Sequence, residues 1–252
     1  MAELDQTDER LETSEPEACS CSADVDVEDD SCVAEETDAD ACAREPYETA
    51  DSPEPEETPS LILGDEAEHD ADLHEEVISS DMAWRGKIFD VERLEVRLPN
   101  GRTSLRDVVR HRGAVAIVAL TETGKIALVR QYRTSLDRVT VEIPAGKLDP
   151  GEEPLECAKR ELKEETGFVA GRIAYLTTIA SSCGFSDELI HIYLATQLSF
   201  EGAKPDEDEF LNVDLVPVNE LVDAVLDGKI EDSKTVVGAL ACEVMAHRLA
   251  EE

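Results

Sequence analysis

Apolar and polar positions along residues 93–98 alternate strictly, Arg-Leu-Glu-Val-Arg-Leu, which is the period of a strand with one buried face. Pro99-Asn100-Gly101-Arg102 then turns the chain, and 105–110 reads as a second strand. Residues 114–120 are apolar throughout, which suits a buried strand. Thr123-Gly124 turns the chain again, 125–131 reads as the hairpin partner, and 139–143 as one more strand. At 154–166 the period becomes helical: Pro154 sits near the start, Leu155, Ala158 and Leu162 share a face, and Gly167 ends it. Strands follow at 173–179, 189–198 and 213–216, and helices at 219–226 and 233–250. Residues 81–252, about 172 in number, are therefore expected to form one α+β domain. Its strands would be mixed and mostly antiparallel, and its length is enough to bury a sizeable core.

The first part of the chain shows no such pattern. Residues 1–60 contain only six large apolar side chains, Met1, Leu4, Leu11, Val25, Val27 and Val33, at no helical or strand period. Ordering a residue costs about 1–2 kcal/mol of backbone entropy, and this stretch has little apolar surface to offset it. Residues 1–80 are read as a disordered acidic tail, with a weak amphipathic stretch at 73–78; a binding tail is the alternative. No internal repeat is visible.

Charge sharpens that division. The chain carries 60 Asp+Glu against 23 Lys+Arg, a net charge of −37, and 29 of the acids but only 2 of the basic residues lie in 1–80. Bulk repulsion argues against nucleic acid and against an anionic membrane surface as partners. The longest apolar run, 114–120, is far shorter than the roughly 20 residues a membrane span needs. The start lacks the cationic and apolar regions of a signal peptide, so a cytoplasmic location is expected. Seven cysteines are present, with no C-x-x-C pair among Cys19, Cys21, Cys32 and Cys42. These four are read as free thiols in a reducing compartment, with a metal or redox role as the alternative, and Cys157 and Cys183 as incidental. There is no G-x-x-x-x-G-K-[ST] loop, which removes a P-loop kinase or ATPase.

Candidate chemistry concentrates in the helix at 154–166 and its approach. An α-helix turns about 100° per residue, so Glu165 lies about 40° from Glu161 and Glu164 about 60° the other way. Three carboxylates thus share one stripe, with Leu155, Ala158 and Leu162 centred about 100° from it and free to bury. Like charges at such spacing repel by a few tenths of a kcal/mol per pair, on the order of 0.2–0.5. Hard oxygen ligands of this kind suit Mg²⁺ or Mn²⁺. A solvated acidic face compensated by Arg160 and Lys163 is the alternative.

The full spacing is Gly146, five residues, Glu152, seven residues, then Arg160-Glu161-Leu162-Lys163-Glu164-Glu165-Thr166-Gly167-Phe168. It matches without departure the box that defines the Nudix hydrolases. Further segments resemble the ADP-ribose pyrophosphatases of that family: Arg130-Gln131-Tyr132-Arg133, Glu142-Ile143-Pro144-Ala145-Gly146, Gly184-Phe185-Ser186-Asp187-Glu188, Asp206-Glu207-Asp208-Glu209, and Asp227-Gly228-Lys229-Ile230 followed by Asp232-Ser233-Lys234-Thr235. The likeness spans roughly 84–250. One departure is Cys183, where many members have a stiffening proline.

The resemblance implies an α/β/α sandwich of mixed sheets, preceded by an antiparallel strand region, and a homodimer. It implies hydrolysis of a nucleoside diphosphate derivative with a divalent metal, Mg²⁺ or Mn²⁺. Glu161 and Glu165 match the principal metal ligands, and Glu164 and Glu152 the secondary acidic positions. The Ala145 carbonyl and Glu209 would complete the metal shell, and Arg160 would brace the box. Glu207 is the expected general base, with Glu188 its rival. Arg133 is the candidate phosphate clamp, since a guanidinium donates two hydrogen bonds to one phosphate. Arg112 and Glu142 are further candidate substrate contacts, and His111 is a weaker one. The expected reaction takes ADP-ribose to AMP and ribose 5-phosphate. A GDP-sugar substrate, or a non-catalytic ADP-ribose-binding module, are the alternatives.

Overall fold

A computed structural model of the chain describes residues 73–204 and 210–250. Among these are ten strands: β1 (Glu76–Arg85), β2 (Asp90–Arg97), β3 (Thr103–Arg110), β4 (Ala114–Ala119), β5 (Lys125–Arg133), β6 (Arg138–Glu142), β7 (Ala145–Lys147), β8 (Phe168–Ala180), β9 (Leu189–Phe200) and β10 (Leu211–Pro217). Three helices accompany them: α1 (Pro154–Thr166), α2 (Val218–Leu226) and α3 (Ser233–Ala250). Three sheets form, ordered β1-β2-β3, β10-β5-β6 and β7-β4-β9-β8. The β4–β9 pair is parallel, and the other ladders are antiparallel.

The apolar run of β4 has a plain cause. Ala116 and Val118 face a core shared with Ile143, Leu221 of α2 and Ala239 of α3. Val115, Ile117 and Ala119 face a second core with Cys157, Ala158 and Leu162 of α1. A strand covered on both faces cannot alternate with polar residues. In β5, likewise, Ile126 and Leu128 join the first core and Ala127 the second. Helices on both sides of the strands make the α/β/α sandwich that the resemblance implies.

Besides the short β7, which was not expected, two elements differ most from the sequence reading. β1 starts at Glu76, inside the stretch read as tail, whose residues 1–72 lie outside the described residues. All ten of its residues are exposed, so no period-2 pattern marks it. It is held by its ladder to β2, with register shifts at Val77/Ser79 and Met82/Trp84. The second difference is the rotation of α1. Its buried residues are Cys157, Ala158, Glu161, Leu162, Glu165 and Thr166, while Leu155 is 37% exposed. By helical geometry that buried face centres about 40° from Glu161, on Glu165 and Ala158, and Leu155 falls at its edge. The carboxylate stripe therefore enters the interior rather than standing beside it.

Candidate active site

The α1 helix begins at Pro154, where a missing N–H costs nothing, and ends at Gly167, whose φ of 75° is the left-handed cap conformation. Before it, β7 runs beside β4, with Ala116 opposite Ala145 and Val115 opposite Gly146. That pairing lays 145–147 along the buried face of α1. The Ala145 N–H donates to Glu165 Oε2 at 3.0 Å. At Gly146 a Cβ would lie 1.9 Å from the Glu161 carboxyl carbon, so only glycine leaves room for that carboxylate.

Arg160 gathers the acids. Its Nε donates to Glu152 Oε1 at 2.9 Å and its Nη2 to Glu152 Oε2 at 2.9 Å. Its Nη1 reaches Glu161 Oε1 at 2.7 Å and Glu164 Oε2 at 3.0 Å. The hydrogen bond from Arg160 holds the Glu152 carboxyl down at about 2, and in return Glu152 raises the Arg160 pKa. Three acids and one guanidinium leave an excess of negative charge, and buried Glu165 adds to it. Such an all-carboxylate donor set is the chemistry a hard divalent cation needs. Among the described residues, no three carboxylate, thiolate or imidazole groups already converge on one point. The guanidinium occupies the space between the box acids instead.

A second cluster stands at the end of β6. Glu142 is 3% exposed. Its Oε1 accepts Arg133 Nε at 2.7 Å and Thr140 Oγ1 at 2.6 Å, while its Oε2 accepts Arg133 Nη2 at 2.6 Å and Lys234 Nζ at 2.5 Å. Burial would push this carboxyl up, but the Arg133 and Lys234 contacts outweigh it and hold it at about 2. Both oxygens are engaged, so Glu142 is placed to hold Arg133. Arg133 itself is 40% exposed at the side chain and feels the charge of Glu165. The first and second clusters are thus electrostatic neighbours.

Other candidates stand elsewhere. Glu188 Oε1 lies 3.2 Å from His111 Nδ1, which also accepts the Gly113 N–H at 3.1 Å. Arg112 lines a cleft of about 210 Å³ with Lys87, Phe89, Asp90, Arg110 and His111. Glu207 and Glu209 lie outside the described residues. The chain just before them is fastened to α1: the Lys204 N–H donates to the Glu164 carbonyl at 3.0 Å, and Lys163 pairs with Glu201 at 2.8 Å. Cys157 is fully buried beside the box, and burial pushes its thiol up to about 12, so it packs as a neutral group.

Sequence reading assigned no role to Lys234 or Thr235. The available signal was local. A lysine in the first turn of a helix opposes the helix dipole, so Lys234, two residues after Asp232, needed a carboxylate partner.

Comparison with known proteins fits this geometry. The family model for the NUDIX domain matches residues 110–237. The ADP-ribose pyrophosphatase of Bacillus subtilis (strain 168) is 44% identical over 165 residues, 65% of this chain and 89% of its own length. That of Mycobacterium tuberculosis (strain ATCC 25618 / H37Rv) is 40% identical over 189 residues, 73% and 89% respectively. The methanol dehydrogenase activator of Bacillus methanolicus is 44% identical over 167 residues, 66% of this chain and 90% of that one. Among solved structures, that of an ADP compounds hydrolase superposes with a TM-score of 0.62 at 25% identity, covering 69% of this chain and 95% of the other. With its box carboxylates gathered on α1 and a family match across half the chain, this protein belongs to the Nudix hydrolase family.

Proposed function

We propose that this Nudix hydrolase is an ADP-ribose pyrophosphatase, converting ADP-ribose to AMP and ribose 5-phosphate. The observation that carries it is the gathering of Glu152, Glu161 and Glu164 on Arg160 beside buried Glu165, whose charge also acts on Arg133. Its relatives' names supply the substrate: two are ADP-ribose pyrophosphatases at 40% and 44% identity, and the solved neighbour hydrolyses ADP compounds.

Divalent-metal dependence goes with the family. Glu161 and Glu165, with Glu164, Glu152, Glu209 and the Ala145 carbonyl around them, would hold Mg²⁺, or Mn²⁺ in its place. When bound, that ion neutralises phosphate oxygens and lowers the pKa of water. The chain's own residues do the rest. Arg160 keeps the acids from splaying apart. Arg133, held by Glu142, offers its remaining donors to a phosphate. Glu207 takes the proton of the attacking water, and Glu188, just before β9, orients the substrate. Arg112 meets the substrate from the cleft beside β3.

A homodimer fits the β1-β2-β3 sheet, which exposes Val77, Ile78, Met82, Trp84 and Leu105. The substrate needs no membrane and no nucleic acid. Among the described residues, no helix is long and apolar enough to cross a membrane.

The test is AMP formation from ADP-ribose with Mg²⁺, with Mn²⁺ and with EDTA, against GDP-mannose and a nucleoside triphosphate. Preferred turnover of GDP-mannose would move the protein to another Nudix substrate class. Tight binding of ADP-ribose without any turnover would make it a sensor.

A further inference from the structure

The C-terminal helix begins with a contradiction. Lys234 stands in its first turn, where the helix dipole disfavours a cation, and it is 8% exposed, where burial disfavours any charge. Its Nζ is held by Asp232 Oδ1 at 2.8 Å and by Glu142 Oε2 at 2.5 Å, across 92 positions of sequence. Thr235, fully buried, donates its hydroxyl to Asp232 Oδ2 at 2.5 Å and accepts the Ile143 N–H at 2.8 Å. Two adjacent residues of α3 therefore grip two adjacent residues at the end of β6.

Those two residues lead straight into the site. Ile143 is followed by Pro144, whose carbonyl accepts the Ile117 N–H, and by Ala145, whose N–H is on Glu165. Glu142 fixes the Arg133 guanidinium through Nε and Nη2, and among the described residues no hydrogen bond engages Nη1. An arginine has five N–H donors in a rigid fork, so this clamp leaves one edge open.

Charge explains why a second cation is present. With Arg133 alone, one guanidinium would face one carboxylate and their charges would cancel. Lys234 shares Oε2 with Nη2, so the carboxylate is divided between two cations. Asp232 balances that added charge in total, but from the far side of Lys234, so at Glu142 the nearer Lys234 acts more strongly. Arg133 then keeps more of its positive field on the open edge.

We propose that Lys234 and Thr235 are positioning residues: acting through Glu142 and Ile143, they set the Arg133 guanidinium as a diphosphate clamp whose open edge stays charged. The proposal deepens the pyrophosphatase reading and rests on it for the substrate only. The anion it assigns to Arg133 is a diphosphate, whatever group is attached.

The experiment uses the full chain with Lys234→Met, Lys234→Arg and Thr235→Val. Affinity is measured with inorganic pyrophosphate as probe, kcat and KM with ADP-ribose, and Tm without ligand. Lys234→Met is expected to raise the pyrophosphate Kd and the ADP-ribose KM by about tenfold, the size of a weakened charge-assisted contact, with kcat within about threefold of wild type. Lys234→Arg should restore both values, and Thr235→Val should shift them by about threefold in the same direction. A lowered Tm with Kd and KM unchanged overturns the proposal, since Lys234 is then only a strap on α3. So does a wild-type chain that does not bind pyrophosphate. If Lys234→Met does not fold, Lys234→Gln is read by the same criteria. If the wild type binds pyrophosphate but leaves ADP-ribose intact, the substrate reading fails and the pyrophosphate values alone decide the clamp.

Discussion

Arg160 and Arg133 each hold carboxylates, but the first cluster is short of cations and the second is balanced. Arg160 stands among Glu152, Glu161 and Glu164, with buried Glu165 on the same helix. Arg133 shares one carboxylate, Glu142, with a second cation, Lys234, which Asp232 pairs in turn. The first cluster is short of positive charge and partly open; the second is compensated and closed. A group of acids held by too few cations is poised to take up another. A buried acid with two cations is a fixed part that presents one of them. The same residue types thus do different work according to how many of each sign the fold brings together.

The largest effect should come from the acids of the first cluster. Glu161→Gln and Glu165→Gln keep shape and lose the charge a hard cation needs. Each should lower kcat on ADP-ribose by about 10²–10⁴, a loss of roughly 3–5 kcal/mol in transition-state stabilisation. Stability should fall little or rise, because like-charge repulsion is relieved. Near-normal turnover in both variants would remove the metal-site reading.

Breaking the second cluster should instead cost stability. Glu142→Leu leaves Lys234 buried with only Asp232, and removing one partner of such a pair typically costs about 3–5 kcal/mol. Urea unfolding measures it, and a loss under 1 kcal/mol, about a surface pair's worth, would show that Lys234 finds water. Acid titration gives the matching sign. Glu142 is held at about 2 in the folded chain against an ordinary value of 4.5. Its stabilising contribution is therefore present above 4.5, declines as the pH falls, and is gone below about 2. Between these limits the wild type should lose stability more steeply than Glu142→Gln.

These clusters were not equally legible in the sequence. The first is local: its acids and Arg160 lie within one helix and its approach, and 3.6-residue geometry alone puts the acids on a stripe. The second joins residues 92 positions apart, and no local period reveals which lysine meets which glutamate. The central strand was legible because β4 is buried on both faces and so is apolar throughout, while the sandwich around it came from the resemblance. β1 was not, because all of it is exposed and only its ladder to β2 holds it. The expected base and metal partner, Glu207 and Glu209, remain an assignment by resemblance, on residues outside those described.

Intermediate in size is the effect of removing the brace. Arg160→Met leaves Glu152, Glu161 and Glu164 facing one another without their shared guanidinium. Without divalent metal, Tm should drop by a few degrees, for about 1–2 kcal/mol. Added Mg²⁺ should then raise Tm more in Arg160→Met than in wild type, because a cation can stand in for the lost one. Removing Lys234 should gain no such rescue, since its cluster is closed. Equal Mg²⁺ shifts in wild type and Arg160→Met would mean that the box acids do not share their charge between arginine and metal.

The smallest expected effect, that of Leu155→Ala set against Leu162→Ala, tests how α1 is turned, on which the contrast between an open and a closed cluster depends. Pattern alone puts Leu155, Ala158 and Leu162 on one buried face and the acids beside it. In the structure, Leu162 is fully buried but Leu155 is 37% exposed, and the place expected for Leu155 is taken by Cys157 and the carboxylates. Leu162→Ala should then cost about 2–5 kcal/mol, the usual range for a leucine removed from a packed core. Leu155→Ala should cost about 0.5 kcal/mol or less, since little apolar area leaves contact and alanine is the better helix former. Equal costs for the two, measured by urea unfolding, would turn the helix back by roughly 60°, somewhat more than half of one residue's rotation. That would lift Glu161 and Glu165 out of the interior. Their repulsion would then be screened by water, and little would distinguish the first cluster from an ordinary acidic surface.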